Sequence, residues 1–196
     1  MRLTTGLVTT ALALGTVLGT SAAASAQETT IKDKRADVLR FDSIESDSYT
    51  RLGSAASKKS GIDAKSVRFD HGRKNVTITV KFSRLKSGST IYAEIFRAGK
   101  KKPSFELYGY DKQGGQVYNA RDKKVCNAKV RTSNGKNGSI KVTVRRSCLG
   151  DPAKLRIAVG VLRLSGGTAD NPGYSMDVLS SKKVLTPERS RLLKSS

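Results

Sequence analysis

The sequence predicts an all-β protein, an antiparallel β-sandwich with one intra-hairpin disulfide. Three observations predict it: apolar residues recur at every second position, turn formers punctuate those runs at short intervals, and two cysteines follow an export signal.

The signal comes first. Arg2 supplies a positive start, Leu3 to Leu18 is apolar and uncharged, and Ala24-Ser25-Ala26 is a small-x-small cleavage site before Gln27. Residues 1–26 are therefore read as a signal peptide, and the product as secreted, extracellular or cell-wall associated. The apolar stretch is short for a bilayer span of roughly 20 residues, and no later segment comes close, so no membrane span is expected.

Removing residues 1–26 from the 196 leaves 170, the size of one domain. Residues 27–60 read as a flexible lead-in with a short strand. Ala36 to Phe41 can pair with a sheet, whereas Ser43 to Ser60 is rich in Ser, Lys and Asp with few apolar anchors. Residues 61–181 read as the sandwich domain and residues 182–196 as a basic tail.

Within the domain, Val76, Ile78, Val80 and Phe82 alternate with Asn75, Thr77, Thr79 and Lys81, so one strand face meets a core and the other meets water. Further runs follow at Ser66–Asp70, Thr90–Arg97, Ser104–Tyr110, Gln116–Ala120, Lys124–Thr132, Ser139–Cys148, Ala153–Leu164 and Tyr174–Leu179. Asp70-His71-Gly72, Lys86-Ser87-Gly88, Gln113-Gly114-Gly115, Asn137-Gly138 and Gly150-Asp151-Pro152 separate them as turns. Ala, Leu and Arg in Ala153–Leu164 suit a helix, but Leu155, Ile157, Val159 and Val161 repeat with period two and predict a strand. No segment carries a convincing amphipathic helix. Many short strands of this kind predict an immunoglobulin-like or carbohydrate-binding-module-like sandwich.

Cys126 and Cys148 make an even pair in an oxidising compartment, which predicts a disulfide. Two Cys and one His at these spacings are too few for a metal site. A three-residue loop centred on Asn137 sets Cys126 opposite Cys148, Val130 opposite Val144, Ala128 opposite Arg146 and Thr132 opposite Val142. A two-residue turn at Asn137-Gly138 would put the cysteines on opposite faces, so a wider loop or a bulge is expected.

Ile62-Asp63-Ala64-Lys65-Ser66-Val67-Arg68-Phe69-Asp70-His71-Gly72, the alternating Val76 to Phe82, and the run Val142 to Ile157 with Arg145-Arg146-Ser147-Cys148-Leu149-Gly150-Asp151-Pro152-Ala153 at its centre form a recognisable set. Over residues 62–164 the chain resembles small exported β-sandwich proteins of uncharacterised function that are common in high-GC Gram-positive bacteria. The resemblance implies the sandwich and the Cys pair, and brings no catalytic residues. The chain departs from that pattern in having no Trp and in its tail after Gly167.

Charge carries the functional expectation. After residue 26 there are 36 Lys and Arg against 16 Asp and Glu, a net of +20. Residues 27–66 hold eight basic against seven acidic side chains, whereas residues 67–196 hold 28 against nine. Such a surplus attracts polyanions. Arg97, Lys100, Lys101, Lys102, Lys123 and Lys124 are expected as ligand-binding residues, with Arg121 beside them. Tyr108 and Tyr110, on one strand face, are expected to join them, with Tyr92, Phe96 and Tyr118 on neighbouring strands as a stacking platform. Lys129, Arg131, Lys141, Arg145 and Arg146 form a second basic area that suits either a polyanion or edge protection.

Other chemistry is weaker. His71 is the only histidine and is read as closing a turn with Asp70; no Gly-x-Ser-x-Gly signature accompanies it. Asp70, Glu94, Glu106, Asp111 and Asp122 could supply a carboxylate pair for glycoside hydrolysis, but basic neighbours outnumber them. Asp170-Asn171 and Asp177 offer oxygen ligands without a calcium-loop signature. Gly114-Gly115 and Gly166-Gly167 lack the Lys-Ser/Thr context of a phosphate loop. The sequence therefore predicts no enzyme, cofactor or metal. It predicts a secreted binding or adhesion module for an anionic extracellular polymer such as cell-wall polymer, acidic polysaccharide or nucleic acid. The alternative is a structural or protein-interaction domain whose charge serves solubility, and a secreted hydrolase ranks below both.

Overall fold

The structure, a computed structural model, describes residues 27–167, 172–179 and 185–196. The export signal, Asp170-Asn171 and Lys182-Lys183 lie outside the described residues. Alternating apolar residues make strands throughout: β1 (Gln27–Lys32), β2 (Leu39–Phe41), β3 (Thr50–Arg51), β4 (Ala64–His71), β5 (Asn75–Phe82), β6 (Arg84–Leu85), β7 (Ser89–Arg97), β8 (Phe105–Tyr110), β9 (Gly114–Asn119), β10 (Lys124–Ser133), β11 (Gly135–Lys136), β12 (Ser139–Arg145), β13 (Lys154–Gly167), β14 (Pro172–Val178) and β15 (Leu193–Lys194). A short helix α1 (Ser54–Ser60) precedes β4, and a 3-10 turn (Arg146–Leu149) follows β12.

The all-β antiparallel class and the Cys126–Cys148 bridge are as the sequence predicts. The strands form one large curled sheet in the order β1-β4-β5-β12-β10-β9-β8-β7-β13-β14-β2-β3, with β15 added to β13 and a separate β11–β6 pair. Strand β10 makes the corner. Its first half, to Ala128, pairs with β9, and its second half, from Lys129, pairs with β12. A close approach permits the bend: a Cβ on Gly109 of β8 would lie 2.6 Å from Ile91 and 3.2 Å from Val130. Only a glycine lets the second half of β10 fold over β8.

Curling brings the inner faces of both halves onto one core. Phe69, Ile78 and Val80 from β4 and β5, Val142 and Val144 from β12, Ile91, Ile95 and Leu107 from β7 and β8, and Ile157 and Val159 from β13 are all buried in it. Each such side chain contributes about 1.5–3 kcal/mol on leaving water. Their alternation with exposed Lys, Arg and Thr fixes which face turns inward.

Several expectations change. The β10–β12 hairpin pairs Val130 with Val142 and Thr132 with Ile140, two residues away from the expected register. A shift of two keeps every paired side chain of the hairpin on its face. The connection is indeed wide, because residues 135–136 leave to pair with β6. β12 stops at Arg145 and Cys148 lies in the 3-10 turn, so the disulfide ties β10 to that turn and is not a directly opposed cross-strand pair. Asp70 and His71 belong to β4 rather than to a turn, paired with Thr77 and Val76.

The ends of the chain also pack on the body. β1 pairs with β4, and β2 pairs with β14 through Phe41 opposite Tyr174. Val38, Leu39 and Phe41 are buried. A short helix occupies part of the segment expected to be irregular. Residues 185–196 lie against β13, with Leu193 buried and paired to Leu155. Asp177 sits inside β14 and faces the core, not in a loop.

The curl has two ends. β4 runs from Ala64 at one to His71 at the other, about 20 Å. Arg97 pairs with Leu155, Leu155 pairs with Leu193, and the Leu193 carbonyl oxygen lies 3.2 Å from His71 Nδ1, so these residues share the second end.

Candidate functional site

Antiparallel connectivity sends alternate connections to the same end. Residues 72–74, 98–104, 120–123 and 146–153 therefore gather around His71 and Leu193. These connections carry Arg73, Lys74, Lys100, Lys101, Lys102, Arg121, Lys123 and Arg146, with Arg97, Lys124, Arg145 and Lys154 at the adjoining strand termini. Strands separated in sequence thus pool their basic turns.

Between the β7–β8 and β9–β10 connections lies a groove of about 600 Å³ lined by Arg97, Lys100, Lys101, Lys102, Phe105 and Arg121, with Pro103, Ser104, Asn119 and Ala120. Its charged side chains are all basic. Phe105 forms an apolar floor beneath the Arg97 guanidinium, 5.3 Å from the ring centroid. Arg97 Nη2 also donates to the Leu149 carbonyl at 2.8 Å, and this geometry depends on Gly150. Gly150 has φ +69°, and a Cβ there would collide with the Arg97 guanidinium. Arg189 stacks on Phe96 at 3.9 Å and donates to the Lys101 carbonyl at 2.8 Å, which pins the lysine loop.

The opposing wall is shaped by Asn119. Its Oδ1 accepts hydrogen bonds from the amides of Arg121 (2.9 Å) and Lys123 (3.2 Å). That arrangement projects Arg121, Lys123 and Lys124 outward. Among the described residues no carboxylate pairs with Lys100, Lys101, Lys102 or Arg121, whereas Arg40 pairs with Asp42 and Arg68 with Glu28.

A second groove of about 620 Å³ runs beside the disulfide at the β10 corner, where Lys129 and Arg145 are its charged lining. Lys141 and Arg131 stand opposite each other on the neighbouring outer face. Arg146 is committed otherwise. Its guanidinium donates to the carbonyls of Arg73, Asp151 and Pro152, tying the 72–74 turn to its own connection.

The tyrosines occupy the outer face of β7, β8 and β9. Tyr92 lies 5.3 Å from Tyr108, and Tyr108 lies 5.9 Å from Tyr118. Their hydroxyls donate to Glu94, Glu106 and Gln116 respectively. Burial and the Glu106 hydrogen bond push the Tyr108 phenol up to about 12, and burial with the hydrogen bond to Glu94 also raises Tyr92. Glu94 and Glu106 are directly opposed and lie in the row between the basic groove and Tyr108. Tyr110 lies farther along β8, toward the opposite end.

The structure thus brings Arg97, Lys100, Lys101 and Lys102 together with Arg121, keeps Lys123 and Lys124 on the adjoining turn, and holds Tyr108 and Tyr110 apart behind two carboxylates. Sequence reasoning missed Arg189 and Gly150 as positioning residues. No local signal marks Arg189, because its partners Phe96 and Lys101 are distant in the chain. His71 is fully buried, and burial pushes its ring below the usual imidazole range.

No family model, curated protein or solved structure matches the chain. Among the described residues, no helix is long and apolar enough to cross a membrane.

Proposed function

We propose that the chain is a secreted, non-catalytic binding or adhesion module that contacts an anionic extracellular polymer through Lys and Arg. One observation carries the reading: a groove of about 600 Å³ whose charged lining is exclusively basic, with Arg97 held in place, the lysines exposed around it and Arg189 pinning their loop. A fixed guanidinium is preorganised for phosphate or carboxylate, and mobile lysines add charge without geometric demand. The second groove, at Lys129 and Arg145, extends the basic surface at the same end, as a ligand longer than one groove requires. Glu94 and Glu106 repel such a polymer from the tyrosine face.

The test is retention of the oxidised protein on DNA-coated beads, acidic wall polymer on beads, and neutral polysaccharide, each at low and high salt. Retention on the anionic materials alone, released by salt, is the expected result. Replacing Lys100, Lys101 and Lys102 together by Ser should weaken binding to DNA beads and flatten its dependence on salt by up to about three in logarithmic slope. Unchanged affinity would remove this groove from the account. No retention on any material would favour a protein partner.

A further inference from the structure

At the opposite end of the curl, four aspartates meet from three parts of the chain. Asp33 and Asp37 come from the β1–β2 connection, Asp63 immediately precedes β4, and Asp177 projects inward from β14. One carboxylate oxygen from each of Asp33, Asp37 and Asp177 lies within 4.8 Å of the others. Calcium holds oxygen ligands at about 2.3–2.6 Å, so ligands on opposite sides of one ion stand about 5 Å apart. The separation fits one shell.

Backbone amides orient two of the four. The Ala64 amide donates to Asp177 Oδ2 at 2.7 Å, and the Ala36 amide donates to Asp63 Oδ1 at 2.8 Å. Each carboxylate therefore has its second oxygen left over. Asp177 is 0% exposed, and its Oδ1 is buried with no hydrogen-bond donor. Asp63 Oδ2 and Asp37 Oδ1 are likewise buried without a donor. A buried carboxylate oxygen without a donor costs on the order of several kcal/mol, and a group of them repels itself. Lys34 and Arg51 act on Asp37 from the side, and neither forms an ion pair with it.

We infer that Asp33, Asp37 and Asp177, with Asp63 beside them, form a binding site for a divalent cation of the calcium class, which clamps the β1–β2 connection onto β14. Calcium suits it better than magnesium, because an all-protein carboxylate cage demands dehydration, which magnesium resists. Asp177 is buried, acidic and donor-poor in a chain rich in lysine, which ordinary surface ion pairing does not explain.

The experiment is thermal unfolding and titration calorimetry of the oxidised, chelator-stripped chain with calcium chloride, magnesium chloride, and sodium chloride at matched ionic strength. One calcium site is expected, with a folding constant that rises about 100-fold when calcium reaches 100 times its Kd, and a weaker response to magnesium. Asp177→Asn should abolish the calcium response while remaining at least as stable as the parent in chelator. If that variant does not fold, Asp37→Asn should weaken calcium binding at least tenfold. An absent calcium response, an equal response to matched sodium chloride, or a full response in both variants would overturn the site. The inference is independent of polymer binding, and neither result bears on the other.

Discussion

The basic end and the aspartate end are built on the same strands, yet charge behaves in opposite ways in them. At the basic end Lys100, Lys101, Lys102 and Arg121 are exposed, so water solvates each cation and salt screens their mutual repulsion over about 8 Å. A large surplus is tolerated there and remains available to a ligand. At the aspartate end Asp177 is buried and its Oδ1, without a hydrogen-bond donor, lies among other carboxylates that are themselves only partly open to water. A cation bound there would offset their mutual repulsion. The number of charges matters less than whether water can reach them.

Substitutions at the basic end can break or sharpen this contrast. The largest effect is expected from the bridge: replacing Cys126 and Cys148 by Ser removes a cross-link spanning 22 residues and should cost about 3 kcal/mol in denaturant unfolding. If the calcium response survives in that variant, the two ends are energetically separate. Gly150→Ala comes next, because it places an alanine at φ +69° and drives the Arg97 guanidinium from the Leu149 carbonyl. A loss of about 1–2 kcal/mol is expected, together with weaker retention on DNA beads. Full retention would make Arg97 dispensable.

Acid probes the basic end through His71, whose ring is held below the usual imidazole range by burial and by the nearby Arg146 charge, against the opposing pull of the Leu193 carbonyl and Asp70. The unfolded ring takes a proton near pH 6.5 and the folded ring only at lower pH. Stability attributable to His71 is therefore present above that value and is lost as pH falls through it, by at most a factor of ten in the folding constant per pH unit. Melting at saturating calcium between pH 7.5 and 5.5 should show this decline in the parent and a shallower one in His71→Gln. Parallel curves would sink the assignment. The smallest effect is expected from Tyr108→Phe, which loses one hydrogen bond to Glu106 and about 1 kcal/mol without changing retention on DNA. Reduced retention would join the tyrosines to the groove.

Much of the fold was legible because the period of two fixes a strand face locally; β5 occupies the predicted Asn75–Phe82 without change. The cysteine pair was legible for a different reason, since two cysteines after an export signal have only each other to bond, whatever the register. His71 was misread because a His beside Asp and Gly looks like a turn, while the Leu193 carbonyl that receives it is far along the chain. The lysine run at 100–102 announced itself by composition. The aspartate cluster did not, because Asp33, Asp37, Asp63 and Asp177 share no motif and each alone resembles an ordinary loop or surface acid.

Alternation, turn chemistry and charge are short-range properties, so the sequence by itself determined an all-β antiparallel chain, the Cys126–Cys148 bridge and a strongly basic body. Only the tertiary structure decided which turns share an end, that Glu94 and Glu106 stand between the lysines and Tyr108, and that four scattered aspartates converge. Those relations depend on how far the sheet curls, which is set by packing between strands remote in sequence, at positions such as Gly109 against Ile91 and Val130.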